Sequence, residues 1–272
     1  LDYTANGSSK LADEARLTLG GSRRGGTLRL VGGSHEEVVV ATTIGAGENA
    51  IYRDSGTSVI RLNTISRQPG ATLYFDEPNI AKVDNGNVNG ILGAWAIIRD
   101  PVQGDLDWAK NATGGADGLV VASSIYLSNN FATNANTAAI SSFTKATNVT
   151  GYTLRFNGPN SGVTSADIEV TLDGALNQLQ TGGILVTPKM GSFDSIISGT
   201  GALYTGNAQQ VPDFLINQFN PGANLIIESQ IIDRPDSVSN VAGTLSTSNN
   251  RRIDGLDAAQ VATLAVGTEV VG

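Results

Sequence analysis

The chain contains no cysteine in its 272 residues. That excludes disulfides, thiolate zinc sites, iron–sulfur clusters and nucleophilic thiols. It has one histidine, His35, so metal sites built from several imidazoles are excluded too. Charge is thin: 15 % of residues are charged, where about 25 % is usual. The balance is acidic, at −8, and basic residues adjoin only as Arg23-Arg24 and Arg251-Arg252. A phosphodiester backbone needs a broader basic face than that, so nucleic acid and anionic membranes are not expected partners. No apolar run reaches the length of about 18 residues needed to span a bilayer as a helix. The opening Leu1-Asp2-Tyr3 has neither the basic nor the apolar region of a signal peptide. It reads as the start of a mature or trimmed chain, or of a fragment.

In place of charge there are 33 glycines and many Ala, Ser, Thr and Asn, residues that suit tight turns and closely stacked backbone. Apolar residues make up 40 %, arranged in short runs that can drive ordering. Strand-like segments occur at 27–31, 38–44, 59–65, 71–75, 119–122, 152–156, 168–172, 184–187, 214–218 and 225–232. Each is rich in β-branched or aromatic residues and bounded by turn formers. In Tyr152-Thr153-Leu154-Arg155-Phe156 and Ile168-Glu169-Val170-Thr171-Leu172 the apolar residues take every second place, which predicts one buried face. Helical periodicity is confined to 9–19 and 256–264, the latter with Asp254 placed as an N-cap. Short helical or strand-like end segments are thus expected within 1–20 and 250–272.

A strand–helix alternation is disfavoured, leaving a sandwich or barrel on one side and a β-solenoid on the other. Few of the Asn-Gly and Asp-Gly pairs sit between two strand-like runs, as hairpins would require. Strand starts recur at irregular intervals, often about 8–25 residues, as stacked coils with variable loops allow. The expectation is one all-β domain over 1–272, a parallel β-solenoid with about 20–25 residues per coil and roughly a dozen rungs.

Candidate sites are sparse. Trp95 and Trp108 are the only tryptophans. Their faces suit stacking on sugar rings, but small neighbours (Gly93, Ala94, Ala96, Ala109) argue more strongly for close packing. Asp105, Asp107, Asn111 and Asp117 form the densest set of oxygen ligands, a weak candidate for Ca²⁺ because EF-hand order is missing. No other cofactor is expected. His35 adjoins Glu36 and Glu37, but no Gly-x-Ser-x-Gly elbow accompanies it, and a surface histidine is the simpler reading. The acids Asp76, Glu77, Asp84, Asp100, Asp167 and Glu169 form no alternating run of the kind a polysaccharide hydrolase or lyase would use. Asparagines, among them Asn129, Asn130, Asn134, Asn136 and Asn148, are expected to stack as amide ladders at equivalent turns. Val261, Leu264, Val266 and Val270 lie in an apolar, strand-prone tail suited to end-to-end association.

Two segments carry a family resemblance. One runs Asn89-Gly90-Ile91-Leu92-Gly93-Ala94-Trp95-Ala96, then Asp107-Trp108-Ala109, then Ala116-Asp117-Gly118. The other is Thr181-Gly182-Gly183-Ile184-Leu185-Val186-Thr187-Pro188, followed by Asp213–Gln218. In this order, over roughly 15–235, the chain resembles the autotransporter-associated β-strand repeat proteins, long exported bacterial chains. Ala94 stands where a second glycine is usual, and the Arg99–Gly104 insert between the tryptophans is longer than expected. The resemblance implies a right-handed parallel β-helix, export, and a place on the cell surface or in extracellular fibres. Family members share no assigned activity. A structural, non-catalytic role in a fibre, stalk or surface layer is therefore expected, with a glycan-binding adhesin and a polysaccharide lyase or hydrolase as the rival readings.

Overall fold

The structure, a computed structural model, describes residues 1–21, 24–100, 105–158, 166–206, 213–235, 244–245 and 253–254. The chain forms two compact units, Leu1–Ile231 and Ile232–Gly272. In the smaller one, Thr244–Leu245 and Ile253–Asp254 pair antiparallel. The tail residues Val261, Leu264, Val266 and Val270, and the helix expected at 256–264, lie outside the described residues.

The larger unit is all-β and dominated by parallel pairing. Its first stack has three faces. Arg16–Leu19, Ala41–Ile44 and Ile65–Arg67 build one. Thr27–Leu30, Gly47–Arg53, Ala71–Phe75 and Ala96–Asp100 build the second. Glu36–Val38, Val59–Asn63 and Ala81–Val83 build the third. Each strand lies parallel on the strand one turn earlier: Ile60 reaches its partner Ala81 after 21 residues, and Arg16 reaches Ala41 after 25. For these strands the return lies within the 20–25 residues expected per coil.

Side chains explain why these segments stack. Ala71–Phe75 alternates buried and partly buried positions, as does Val59–Asn63. Parallel register then sets like on like: Leu28, Ile51, Phe75 and Ile98 form one interior column. Outside, charges pair from turn to turn. Arg29 meets Asp54 at 2.6 Å, Arg53 meets Glu77 at 2.6 Å and Arg99 meets Asp76 at 2.8 Å. Exposed pairs of this kind add little stability each, but like charges in the same register would oppose stacking.

The second stack spans Leu127–Ile227 and repeats the scheme with longer turns. Phe143–Lys145, Ile168–Leu172, Ser195–Ser198 and Leu225–Ile227 form a four-stranded parallel sheet. Thr150–Phe156 and Leu176–Val186 are long enough to bend across two faces, with a register break between Gly151 and Thr153. Its later turns take from 26 residues (Leu176 to Ala202) to 32 (Gly183 to Leu215). Among the described residues the first stack is at most four strands deep before the hairpin and the second at most five, fewer than the dozen rungs expected. The longer return and the connection between the stacks account for the difference.

That connection is antiparallel. Asp105–Asn111 pairs with Ala96–Asp100 on one face, and Gly118–Ala122 pairs with Ala81–Val83 on another. The two strands also pair with each other, Ala109 opposite Ala122. The hairpin closes two faces of the first stack at once. The remaining face, the one built by Arg16–Leu19, Ala41–Ile44 and Ile65–Arg67, ends on a side chain: the amide of Asn85 accepts from Ile65 N–H (2.7 Å) and donates to Ile65 O (3.0 Å), as a next strand would. The opposite end is covered by the N-terminus, where Val31 N–H donates to Leu1 O and Tyr3 N–H to Val31 O.

The helix expected over 9–19 does not form. Residues 12–15 make a turn closed by Ala15 N–H to Ala12 O (2.8 Å), and Arg16–Leu19 is a strand. Its Leu17 and Leu19 both reach the core, so parallel pairing overrides the weak local propensity. The expected asparagine ladders are absent from the described register. Asn136 pairs with Thr153 and not with another asparagine. Asparagines act singly instead: the buried amide of Asn49 donates to the carbonyls of Gly45, Gly47 and Thr72 and accepts from Gly26 N–H. Asn129 and Asn134 hold left-handed turn positions, at φ 53° and 63°.

Candidate functional site

The outer faces of the two stacks meet. Ile97 and Trp108, adjacent in the antiparallel pair, point away from the first stack's interior and pack with Leu185 and Leu215 of the second. Trp108 is 0 % exposed, so its ring is not available to a sugar, and the stacking role proposed for it does not arise. Trp95 is partly buried and packs against both this cluster and the first core. Gly183 makes the approach possible, since a Cβ there would run into the Ala94 methyl and close on Trp108. Gly182 beside it has φ +68°, which a side chain resists. The Thr181-Gly182-Gly183 and Gly93-Ala94-Trp95 motifs are thus two halves of one contact.

At one edge of this seam lies a polar cluster that spacing alone does not reveal. Asp107 accepts from Trp108 N–H (2.7 Å), from the Tyr126 hydroxyl, and from Arg155 Nη1 (2.6 Å). The Arg155 guanidinium lies 3.8 Å from the Tyr126 ring centroid. Asp107 is 9 % exposed and Arg155 7 %, so the pair is held in a low-dielectric seam. Burial pushes the Tyr126 phenol well up, and the neighbouring Asp107 charge pushes it further, so it keeps its proton at neutral pH. A cleft of about 440 Å³ opens beside these residues, with Asp100, Asn157 and Lys189 on its walls. Chemically the cluster is a neutralised carboxylate, a bound guanidinium and a protonated phenol, a set that joins two stacks more readily than it moves protons.

The proposed calcium ligands are spread along the hairpin. Asp105 lies in the strand opposite Asp100. Asp107 is engaged as described. Asn111 is an internal clamp, its amide donating to Val83 O, Asn85 O and Gly115 O and its oxygen accepting from Thr113 and Gly114. Asp117, at φ 58°, sits at the far end of the hairpin, 3.7 Å from both Arg61 and Lys82. Among the described residues no three of His, Asp and Glu converge as a metal site would require. The other acids are equally scattered: Asp84 accepts from Asp117 N–H, Asp167 from Asp194 N–H, and Glu169 from Ser198.

His35 is less exposed than a surface histidine, with 19 % of its side chain open. Its ring lies 5.1 Å from that of Tyr3, and its Nε2 stands 3.2 Å from Ser9 Oγ and 3.9 Å from Glu37 Oε2. Serine and carboxylate thus approach the same nitrogen, whereas a catalytic triad sets them on opposite ones. Glu37, fully buried, accepts from the Tyr3 hydroxyl (2.5 Å) and from Lys10 and Leu11 N–H. Burial raises its pKa, but these hydrogen bonds outweigh burial and hold it below its ordinary value of 4.5. Its contribution to stability is complete above pH 4.5 and is lost as pH falls through the lowered value. Glu37→Gln is expected to cost about 2 kcal/mol at pH 7 and to remove this acid dependence. Urea unfolding at neutral and acid pH measures both. Equal stability of variant and parent at pH 7 would show that the clasp contributes nothing.

Among the described residues, no helix is long and apolar enough to cross a membrane. No family model, no curated protein and no solved structure matches the chain.

Proposed function

We propose that the chain is a non-enzymatic structural segment of a bacterial extracellular surface assembly, a right-handed parallel β-helix of the autotransporter-associated repeat type that associates end to end. The supporting observation is the last turn of the second stack. Ile216 is in register with the buried Ile184, and so faces the interior, yet it is 46 % exposed. Ile231, bridged to Leu203 at the same end, is also 46 % exposed. Among the described residues no strand lies beyond Leu215–Gln218 or Leu225–Ile227. A turn whose inward side chains are exposed in this way presents both strand edge and core to an incoming strand. On the second face of the first stack the N-terminus shields one end and the hairpin the other, so that face offers no such edge, which gives association a direction.

Negative-stain microscopy of the purified chain tests the reading. Filaments or longer end-to-end particles are expected, and Ile216→Lys, at an exposed position, is expected to abolish them without loss of folding. Dispersed single particles at high protein concentration would overturn it.

A further inference from the structure

A groove of about 420 Å³ runs along the seam on the side away from Arg155, within the size range of small-ligand sites. One wall comes from the first stack, through Glu48, Thr72 and Tyr74, and the other from residues 213–219 of the second. We propose that this groove binds an uncharged oligosaccharide. The proposal does not depend on the filament reading.

Aromatic surface comes from Tyr74, Phe214 and Phe219. Tyr74 and Phe219 hold each other, their centroids 5.9 Å apart and their planes 27° from parallel, so a partner meets a rigid apolar strip. Beside it stand hydroxyl-bonding groups of mixed type: the Glu48 and Asp213 carboxylates, the Thr72 hydroxyl and the Asn217 amide. Asp213 is fixed by Arg67 (3.1 and 3.2 Å) and by Gly70 N–H (2.6 Å), all on Oδ2, so that Oδ1 takes none of these bonds. A sugar ring has an apolar face and a rim of hydroxyls that both donate and accept, and it matches this combination. A polyanion does not, because two carboxylates stand in the groove. An apolar peptide matches it less well, because its side chains offer those carboxylates no donors in exchange for the water lost.

The test is calorimetric titration of the full chain with neutral hexasaccharides of β-linked glucose, mannose, xylose and N-acetylglucosamine. Polygalacturonate and an apolar β-strand peptide serve as controls. Saturable binding of at least one neutral hexasaccharide is expected. It should weaken about tenfold in Phe219→Ala, the loss of one aromatic contact, and measurably in Glu48→Gln, whose exposed position keeps the fold intact. Circular dichroism of each variant separates lost binding from lost folding. The proposal is overturned if no neutral hexasaccharide binds, if only the polyanion or the peptide binds, or if binding survives unchanged in both folded variants.

Discussion

Trp108→Ala is expected to lower the unfolding free energy by about 3–5 kcal/mol, the cost of a large aromatic deleted from a packed interior. The residue is fully buried, and it is packed from both sides: Ile97 and Leu106 on its own sheet, Leu185 and Leu215 on the facing one. Neither side can collapse into the gap without breaking its own strand register. Since native domains are stable by only about 5–15 kcal/mol, the loss is a large share of the total. Trp108→Phe is expected to cost about 1 kcal/mol. It keeps most of the apolar surface, and it removes an indole N–H that has no hydrogen-bond partner among the described residues. Denaturant titration of both variants checks the order. An alanine variant as stable as the phenylalanine one would mean that the seam is not a packed core.

The Asp107–Arg155 pair should show the second large effect, and in a diagnostic pattern. Asp107→Leu or Arg155→Met alone is expected to cost about 3–5 kcal/mol, because each removes the 2.6 Å contact that compensates a buried opposite charge. The double variant should recover much of that loss, since an apolar pair of similar volume avoids desolvation altogether. A double-mutant cycle by urea unfolding measures the coupling. Additive losses would mean that the 2.6 Å contact contributes no net interaction.

Much of this architecture is legible in the sequence wherever one face of a strand is buried and the other wet. Ile168–Leu172 and Ala71–Phe75 fall where alternation puts them, because a period of two is a direct imprint of burial. The return length matches expectation only in the first stack, within 20–25 residues, and runs to 26–32 in the later turns of the second. Strand direction does not: nothing in the Asp105–Asn111 alternation says that it pairs antiparallel with Ala96–Asp100. The Asp117-Gly118 pair carries that signal, with its left-handed aspartate in the hairpin connection, but similar pairs elsewhere in the chain mask it. The polar cluster was hidden for another reason. Asp107 and Arg155 are 48 residues apart, on different stacks, and only the docking of two outer faces makes them neighbours. His35 is likewise covered by Tyr3, far from it in sequence.

The antiparallel hairpin between the stacks has a consequence for how errors spread. In a parallel stack every turn copies its alignment from the turn beneath it, so a slip of one residue inverts the faces of the next strand and is handed onward. Among the described residues no strand of the second stack pairs with this hairpin, so alignment is not handed on through backbone bonds. Gly118–Ala122 and Asp105–Asn111 therefore act as a firebreak: the second stack must find its own alignment, and a misthreaded turn on one side is contained there.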